Sequence, residues 1–380
     1  MVMIAQTDSP TPPQAPPPTP SSRGGALDLL RFSAALLIML YHYGNESPRR
    51  LIRYSELFER GYLATDFFLI LSGYVLGRAY GPAILNAGVS TGRFWVRRAS
   101  RIWPAHLIVL AAMGFYVLGG QLLAGFPPNP RRFGLESFFQ QALLIHAWFP
   151  GVRADGWNLP SWSLSALLVC YLAFPWLWRA LARVRPAVVL VLLGLGAVVM
   201  ADAITREVFG LNLYYLPFNI GLGRAIPLFV LGACLARAAA LQWPGEAASR
   251  ILMWGGFVAV IALNLAGRFD FLSIVAIAAI ILGAGRLPVK KPSKTMEALA
   301  KLAFALFITH ALVGMLYYSQ LHGLIYRVKI PLEIQWTMWA AGFPIAIAAA
   351  WAFDRWVDQP IQKRIRPWLS GKRVKADRPI

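Results

Sequence analysis

Cysteine, acid and histidine are all scarce in this chain. Its 380 residues include two cysteines, Cys170 and Cys234, each inside an apolar run, which excludes a disulfide framework and a thiolate metal site with ligand spacing. Charged residues make up only 14%, against roughly a quarter in an average soluble domain, so a soluble globular class is excluded as well. The sequence has no G-x-S-x-G elbow, no Walker A loop, no G-x-G-x-x-G after a strand and no H-E-x-x-H, and so gives no support to metal or nucleotide-hydrolysis chemistry. A cleavable signal pattern is missing too, and the first apolar segment is expected to act as the insertion signal. Residues 1–22 carry a single charge, Asp8, in a Pro/Ser/Thr-rich stretch that cannot bury a core; a disordered tail is expected there.

What is abundant is apolar and basic. Hydrophobic residues make up 57%, mean hydropathy is +0.53, and 37 Lys and Arg against 17 Asp and Glu leave a formal charge of +20. These cations sit in short runs between apolar stretches rather than in one patch, so membrane topology accounts for them and nucleic acid is not an expected partner. A bilayer core of ~30 Å needs about 20 apolar residues per helix. That ruler predicts ten spans, near 26–44, 62–80, 102–120, 161–180, 186–204, 212–237, 251–267, 271–286, 298–319 and 334–354. The eighth is the shortest in its apolar core. Most Lys and Arg fall on one side if the N-terminus is inside, which predicts an all-α polytopic membrane bundle with both termini cytoplasmic. The expected organisation is a tail over 1–22, one membrane domain over 23–366 and a basic cytoplasmic tail over 367–380. Residues 121–160 form the longest outer connection, and their apolar part is too short to span; an interfacial or re-entrant segment is expected.

Several polar residues fall inside apolar segments. In "LLRFSAALLIMLYHY" Arg31 and His42 are eleven positions apart, within ~20° of three full helical turns and about 16 Å along the axis, so they share a face. Asp28, three positions before Arg31, is the natural neutralising partner. The plainer alternative is a helix with an arginine snorkelling at one end and a histidine among headgroups at the other. Asp66 lies in the second span near the expected level of His42, where a carboxylate could hold an imidazole in one tautomer. Ser72 and Gly73 of the same span suit helix packing as well as a cavity wall. The stretch "RFWVRRASRIWP", read as an inner loop, places Arg93, Arg97, Arg98 and Arg101 together without an acid. Positive-inside anchoring explains part of this, while guanidinium forks also match phosphate oxygens and suit a phosphate-bearing donor. Arg224 lies in a sixth span expected to break at Pro217, Gly221, Gly223 and Pro227, as a cavity-lining residue or a structural ion pair. His310, near the centre of the ninth span, reads alone as a hydrogen-bonded core residue.

In combination, these segments resemble the acyltransferase-3 family of integral membrane O-acyltransferases. The first helix carries the Arg, ten residues, His pattern of that family at Arg31 and His42. "TDFFLILSGYVL", "FWVRRASRIWPAH", "LPSWSLSALLVCYLAFP", "RAIPLFVLGACLA", "LAFALFITHALV" and "VDQP" follow in the family's order. One departure stands out: Trp162-Ser163-Leu164-Ser165 is followed by Ala166-Leu167, where the family usually has Val-Glu. The resemblance implies transfer of an acyl group, with acetyl the leading candidate, from cytoplasmic acyl-CoA to a hydroxyl of a glycan or lipid-linked sugar at a bacterial cytoplasmic membrane. No bound cofactor is expected; acyl-CoA is a co-substrate. His42 is the expected general base, with Asp66 orienting it, and Arg31 orients the donor or stabilises charge developing on the thioester oxygen. Arg97, Arg98 and Arg101 bind the donor phosphates, and Asp28, Ser72, Trp162, Ser163, Arg224 and His310 line the substrate path. Direct transfer and a covalent acyl-histidine both remain open. A transporter or flippase is the rival reading, since buried Arg and His and a broken helix serve it equally well. A receptor or assembly scaffold would need those charges to be purely structural.

Overall fold

The computed structural model describes residues 25–124, 132–151, 156–289 and 291–370; the expected tail over 1–22 and most of the basic C-terminal tail lie outside them. Thirteen α-helices follow one another, with no strand among the described residues. They are α1 (Ala26–Gly44), α2 (Glu56–Glu59), α3 (Leu63–Leu85), α4 (Thr91–Ala124), α5 (Leu135–Ala142), α6 (Trp162–Ala182) and α7 (Ala187–Phe209). The second half holds α8 (Gly221–Ala240), α9 (Glu246–Leu265), α10 (Asp270–Arg286), α11 (Lys294–Val328), α12 (Leu332–Phe353) and α13 (Gln359–Ser370).

Among the described residues nine stretches are long and apolar enough to cross a membrane. The expected span missing from these nine is the eighth, α10, whose 17 residues reach about 26 Å. It still runs the depth of the bundle, burying Ile274, Ile277 and Ile281. Helix α7 shows why lipid is the solvent: it buries only Leu190, Gly194, Val198 and Thr205, a narrow stripe, and leaves Val188, Leu192, Val199 and Met200 exposed. Water would penalise such a face, whereas hydrocarbon accepts it.

Two expectations about helix boundaries change. The arginine segment is no loop: α4 runs unbroken from Thr91 through Pro104, so Arg97, Arg98 and Arg101 occupy helical positions one turn apart. The hydropathy ruler began the span at 102 because charge lowers the window average, not because the helix starts there. The sixth span, conversely, starts late. Residues 213–220 form two short 3₁₀ turns, and α8 begins at Gly221 and carries Pro227 in its interior.

Small residues set the closest packing. A Cβ on Gly73 of α3 would stand 2.1 Å from the Phe229 carbonyl oxygen, and one on Gly232 of α8 would stand 1.8 Å from that of Ile70. The two helices therefore meet backbone to backbone, as small residues permit in membranes. Ser72, beside this seam, lines neither of the cavities described below. Asp28 and Arg31 near the start of α1 share a cavity wall with Asp358, Gln359 and Lys363, so the described chain begins and ends at the same end of the bundle. Asp358 closes a single π-helical turn, Asp354–Asp358, between α12 and α13.

Candidate active site

Two cavities open at opposite ends of the bundle, and α1 and α11 run between them. The first, of about 890 Å³, is lined by Asp28 and Arg31 of α1, Arg97, Arg98 and Arg101 of α4, and Lys301 of α11, among others. Arg31 donates to Asp28 at 2.9 Å, as the i, i+3 spacing predicts. Arg98 lies over the Tyr171 ring, 4.8 Å from its centroid. Arg101 donates to both carboxylate oxygens of Asp358, at 2.8 and 2.6 Å, and stacks on Phe304. Asp358 belongs to "VDQP"; its pairing across 257 residues has no local signal in the sequence.

The second cavity, of about 370 Å³, is walled by aromatic rings, Tyr41, Tyr62, Trp162, Tyr215 and Phe218 among them, and His42 lies in its lining. His42 Nδ1 is 2.8 Å from His310 Nε2, with the rings 7° from parallel. The other nitrogen of His310, Nδ1, is 3.0 Å from the Leu306 carbonyl oxygen. A carbonyl oxygen only accepts, so this Nδ1 carries the hydrogen and, in a neutral ring, Nε2 must accept. His42 therefore donates from Nδ1, and its own Nε2 holds a lone pair. Tyr43 donates to the His310 carbonyl at 2.8 Å and Trp339 donates to the Tyr43 carbonyl at 2.7 Å, tying α1, α11 and α12 together around the pair.

This corrects the expected role of Asp66. Both its carboxylate oxygens accept from Arg224, from Nε at 2.7 Å and Nη2 at 2.8 Å, while Nη1 donates to the Tyr214 carbonyl at 2.8 Å. Asp66 thus neutralises the buried arginine of α8 instead of orienting His42, whose Nδ1 is taken by His310. An unpaired Arg224 at this depth would cost several kcal/mol, which is why the carboxylate is claimed there. The pair sits beneath the cavity: the guanidinium carbon lies 5.3 Å from the Tyr62 centroid and 6.0 Å from that of Trp162. Trp162 lines the cavity as expected, whereas Ser163 turns back to the Pro160 carbonyl at 3.2 Å and lines neither cavity.

The described part of the connection before α6 packs against the bundle and brings in residues that the sequence does not single out. His106 donates to the Gln141 carbonyl at 2.8 Å, and Gln141 donates from its amide to the Gly156 carbonyl at 2.7 Å. Asn158 reaches α11, donating to the Ile308 carbonyl at 3.2 Å, two residues before His310. His146 meets the Ser161 hydroxyl at 3.2 Å, and burial, with His106 nearby, pushes its pKa down to about 3. These bonds link α4 to α5 and tie the connection before α6 to the α11 backbone that carries His310.

Comparison with known proteins gives the family. The family described as an acyltransferase domain matches residues 25–355. Acyltransferase MdmB of Streptomyces mycarofaciens is 32% identical over 165 residues, 41% of this chain and 39% of that protein. Protein 2 in picA locus of Rhizobium radiobacter is 33% identical over 104 residues, 26% of this chain and 49% of that protein. The matches thus span less than half of either relative. Nodulation protein 10 of Rhizobium leguminosarum bv. viciae is 25% identical over 386 residues, 91% of this chain and 95% of that one. No solved structure matches the chain. An all-α bundle with helices long and apolar enough to cross a membrane and a match over residues 25–355 together make this chain an integral membrane protein of the acyltransferase-domain family.

Proposed function

We propose that the protein transfers an acyl group, acetyl being the leading candidate, from acyl-CoA in the arginine-lined cavity to a hydroxyl of a glycan or lipid-linked sugar in the aromatic cavity. The observation that carries this is the hydrogen-bond order Leu306 carbonyl, His310, His42, which leaves His42 Nε2 able to accept a proton. A sugar hydroxyl is a poor nucleophile at neutral pH and needs such a base. Its oxygen attacks the thioester carbonyl as Nε2 takes its proton; the C–O bond forms, the C–S bond breaks, and the departing thiolate recovers the proton from His42.

Arg31, Arg97, Arg98 and Arg101 hold the donor phosphates, because guanidinium forks match phosphate oxygens in geometry and charge. The span of about 16 Å between Arg31 and His42 keeps the two roles apart and suits a long pantetheine arm lying along α1. With the basic cavity facing the cytoplasm, both ends of the described chain face it too, in keeping with the excess of Lys and Arg on that side.

The test is purified protein in detergent, given labelled acetyl-CoA and alkyl glycosides. Transfer of label to oxygen, lost in His42→Ala while the variant purifies normally, supports the reading. Full transfer by His42→Ala overturns it. Because detergent holds no gradient, transfer there also separates catalysis from transport.

A further inference from the structure

The chain as a whole carries a formal charge of +20, yet the wall of the aromatic cavity has the opposite balance. Four charged side chains line it: Glu56, Glu59, Arg60 and Arg224. Both cations are spoken for from behind. Arg224 is held by Asp66 through two hydrogen bonds. Arg60, itself buried, meets Asp270 at 2.8 Å and donates to Asn264 from Nε and to Ser273 from Nη2. Asp270 also accepts the Tyr62 hydroxyl at 2.7 Å. Among the described residues no cation stands within ion-pair distance of Glu56 or Glu59, so the cavity wall keeps two uncompensated carboxylates.

Their placement is built rather than incidental. Helix α2 is a single turn whose Ser55 hydroxyl accepts from the Leu57 amide, setting Glu56 and Glu59 three positions apart on one side. Gly267, at φ +66°, lets the Glu56 side chain lie against its backbone; a Cβ there would come within 2.9 Å of Glu56 Oε2. The next residue, Arg268, turns away onto the Phe269 ring and leaves Glu56 uncompensated.

Two further observations point to a ligand. The Tyr214 hydroxyl, in the same wall and on a residue 5% exposed, has no hydrogen-bond partner, and a buried polar group is normally paired. Tyr41, Tyr62 and Tyr215 form a run of rings, with centroids 6.5 and 6.0 Å apart, of the kind that attracts organic cations as well as sugar faces.

We infer that the acceptor bound in the aromatic cavity carries a positively charged amine beside the hydroxyl that is acylated. Glu56 and Glu59 supply the countercharge, the tyrosines the cation–π surface and the Tyr214 hydroxyl one polar contact. This rests on the acyl-transfer reading for its site and adds the chemical class of the acceptor.

The test compares a glucoside bearing a trimethylammonium substituent with its tert-butyl isostere, alike in shape and different by one charge. The quaternary nitrogen cannot itself be acylated, so only oxygen transfer is scored. With full-length protein and acetyl-CoA, kcat/KM for the cationic acceptor is expected to exceed that for the neutral one about tenfold, an exposed pair of carboxylates being worth a few-fold each. The difference should lie in KM, shrink at high salt and fall to near unity in the Glu56→Gln/Glu59→Gln variant. Equal turnover of the two acceptors by the unaltered protein, or a preference that survives the double substitution, overturns the inference and leaves acyl transfer standing. Binding is read separately, from the shift in melting temperature with each glucoside alone. Charge-dependent stabilisation that needs Glu56 and Glu59, without transfer to either glucoside, supports the inference and counts against the acyl-transfer reading; no charge-dependent stabilisation and no transfer overturns the inference.

Discussion

The two cavities differ in how their charges are handled. In the basic cavity, the arginines and the acids that pair with two of them, Asp28 with Arg31 and Asp358 with Arg101, lie in the same wall. In the aromatic cavity, Asp66 and Asp270 stand behind Arg224 and Arg60, outside the lining itself. The first arrangement keeps cations available to an anionic ligand, because a phosphate can displace or share a carboxylate at the same surface. The second fixes the wall, because a buried ion pair has nowhere to go. One end of the protein gathers its cations and their acids in a single wall; the other sets a proton acceptor among fixed ion pairs and two carboxylates.

The sharpest way to break the comparison is at His42. His42→Ala is expected to lower acyl transfer by 10²-fold or more, the usual range for a general base, with expression unchanged and donor affinity intact. A loss of donor binding in that variant would mean that the cavities are not functionally separate. Next in size is Asp66→Asn, which leaves Arg224 buried without its counterion and is expected to cost about 3–5 kcal/mol, read as loss of folded protein in thermal unfolding. Asp66→Leu/Arg224→Met should recover most of that stability. Were Asp66 instead an orienter of His42, Asn would spare stability and remove activity only.

His310→Gln should then lower kcat at least tenfold while donor KM stays constant, since glutamine cannot reproduce the fixed donor and acceptor order of the imidazole. Arg98→Gln should do the reverse, raising donor KM about tenfold and flattening its dependence on salt with little change in kcat. The smallest effect concerns pH. His146 is held neutral in the fold, with its pKa pushed down to about 3, whereas the unfolded chain takes up that proton near pH 6.5. Its stabilising contribution is therefore complete above pH 6.5 and declines as pH falls toward 3. Unfolding measured from pH 7.5 to 5 should show His146→Gln losing less stability on acidification than the unaltered protein, by up to about 1.4 kcal/mol per pH unit below 6.5.

Much of this architecture is legible in the amino-acid sequence, because spans reveal themselves by length and hydropathy. The shared face of Arg31 and His42 and the Asp28–Arg31 pair follow from helical periodicity alone. What could not be read is which helix each polar face meets. Asp66 and His42 belong at similar depth, so pairing them was reasonable, but depth says nothing about direction around a helix axis; α3 turns this carboxylate toward α8. His42 and His310 are 268 residues apart, and Arg101 and Asp358 are 257 apart, beyond any local pattern. The arginine segment reads as a loop for a different reason: charge masks a helix that extends past the apolar window. The length of the connection before α6 excludes a full span, whereas its buried amide and imidazole groups only acquire meaning once folded against α4 and α11.

The hydrogen-bond order at the dyad also has an electrical consequence. A backbone carbonyl ends the chain at Leu306, and it can neither store a proton nor pass one on. In the reaction proposed above, a proton taken up by His42 has no exit through α11 and leaves with the thiol it re-forms. Each turnover then moves no net charge through the bundle, and its rate should be indifferent to membrane potential in sealed vesicles.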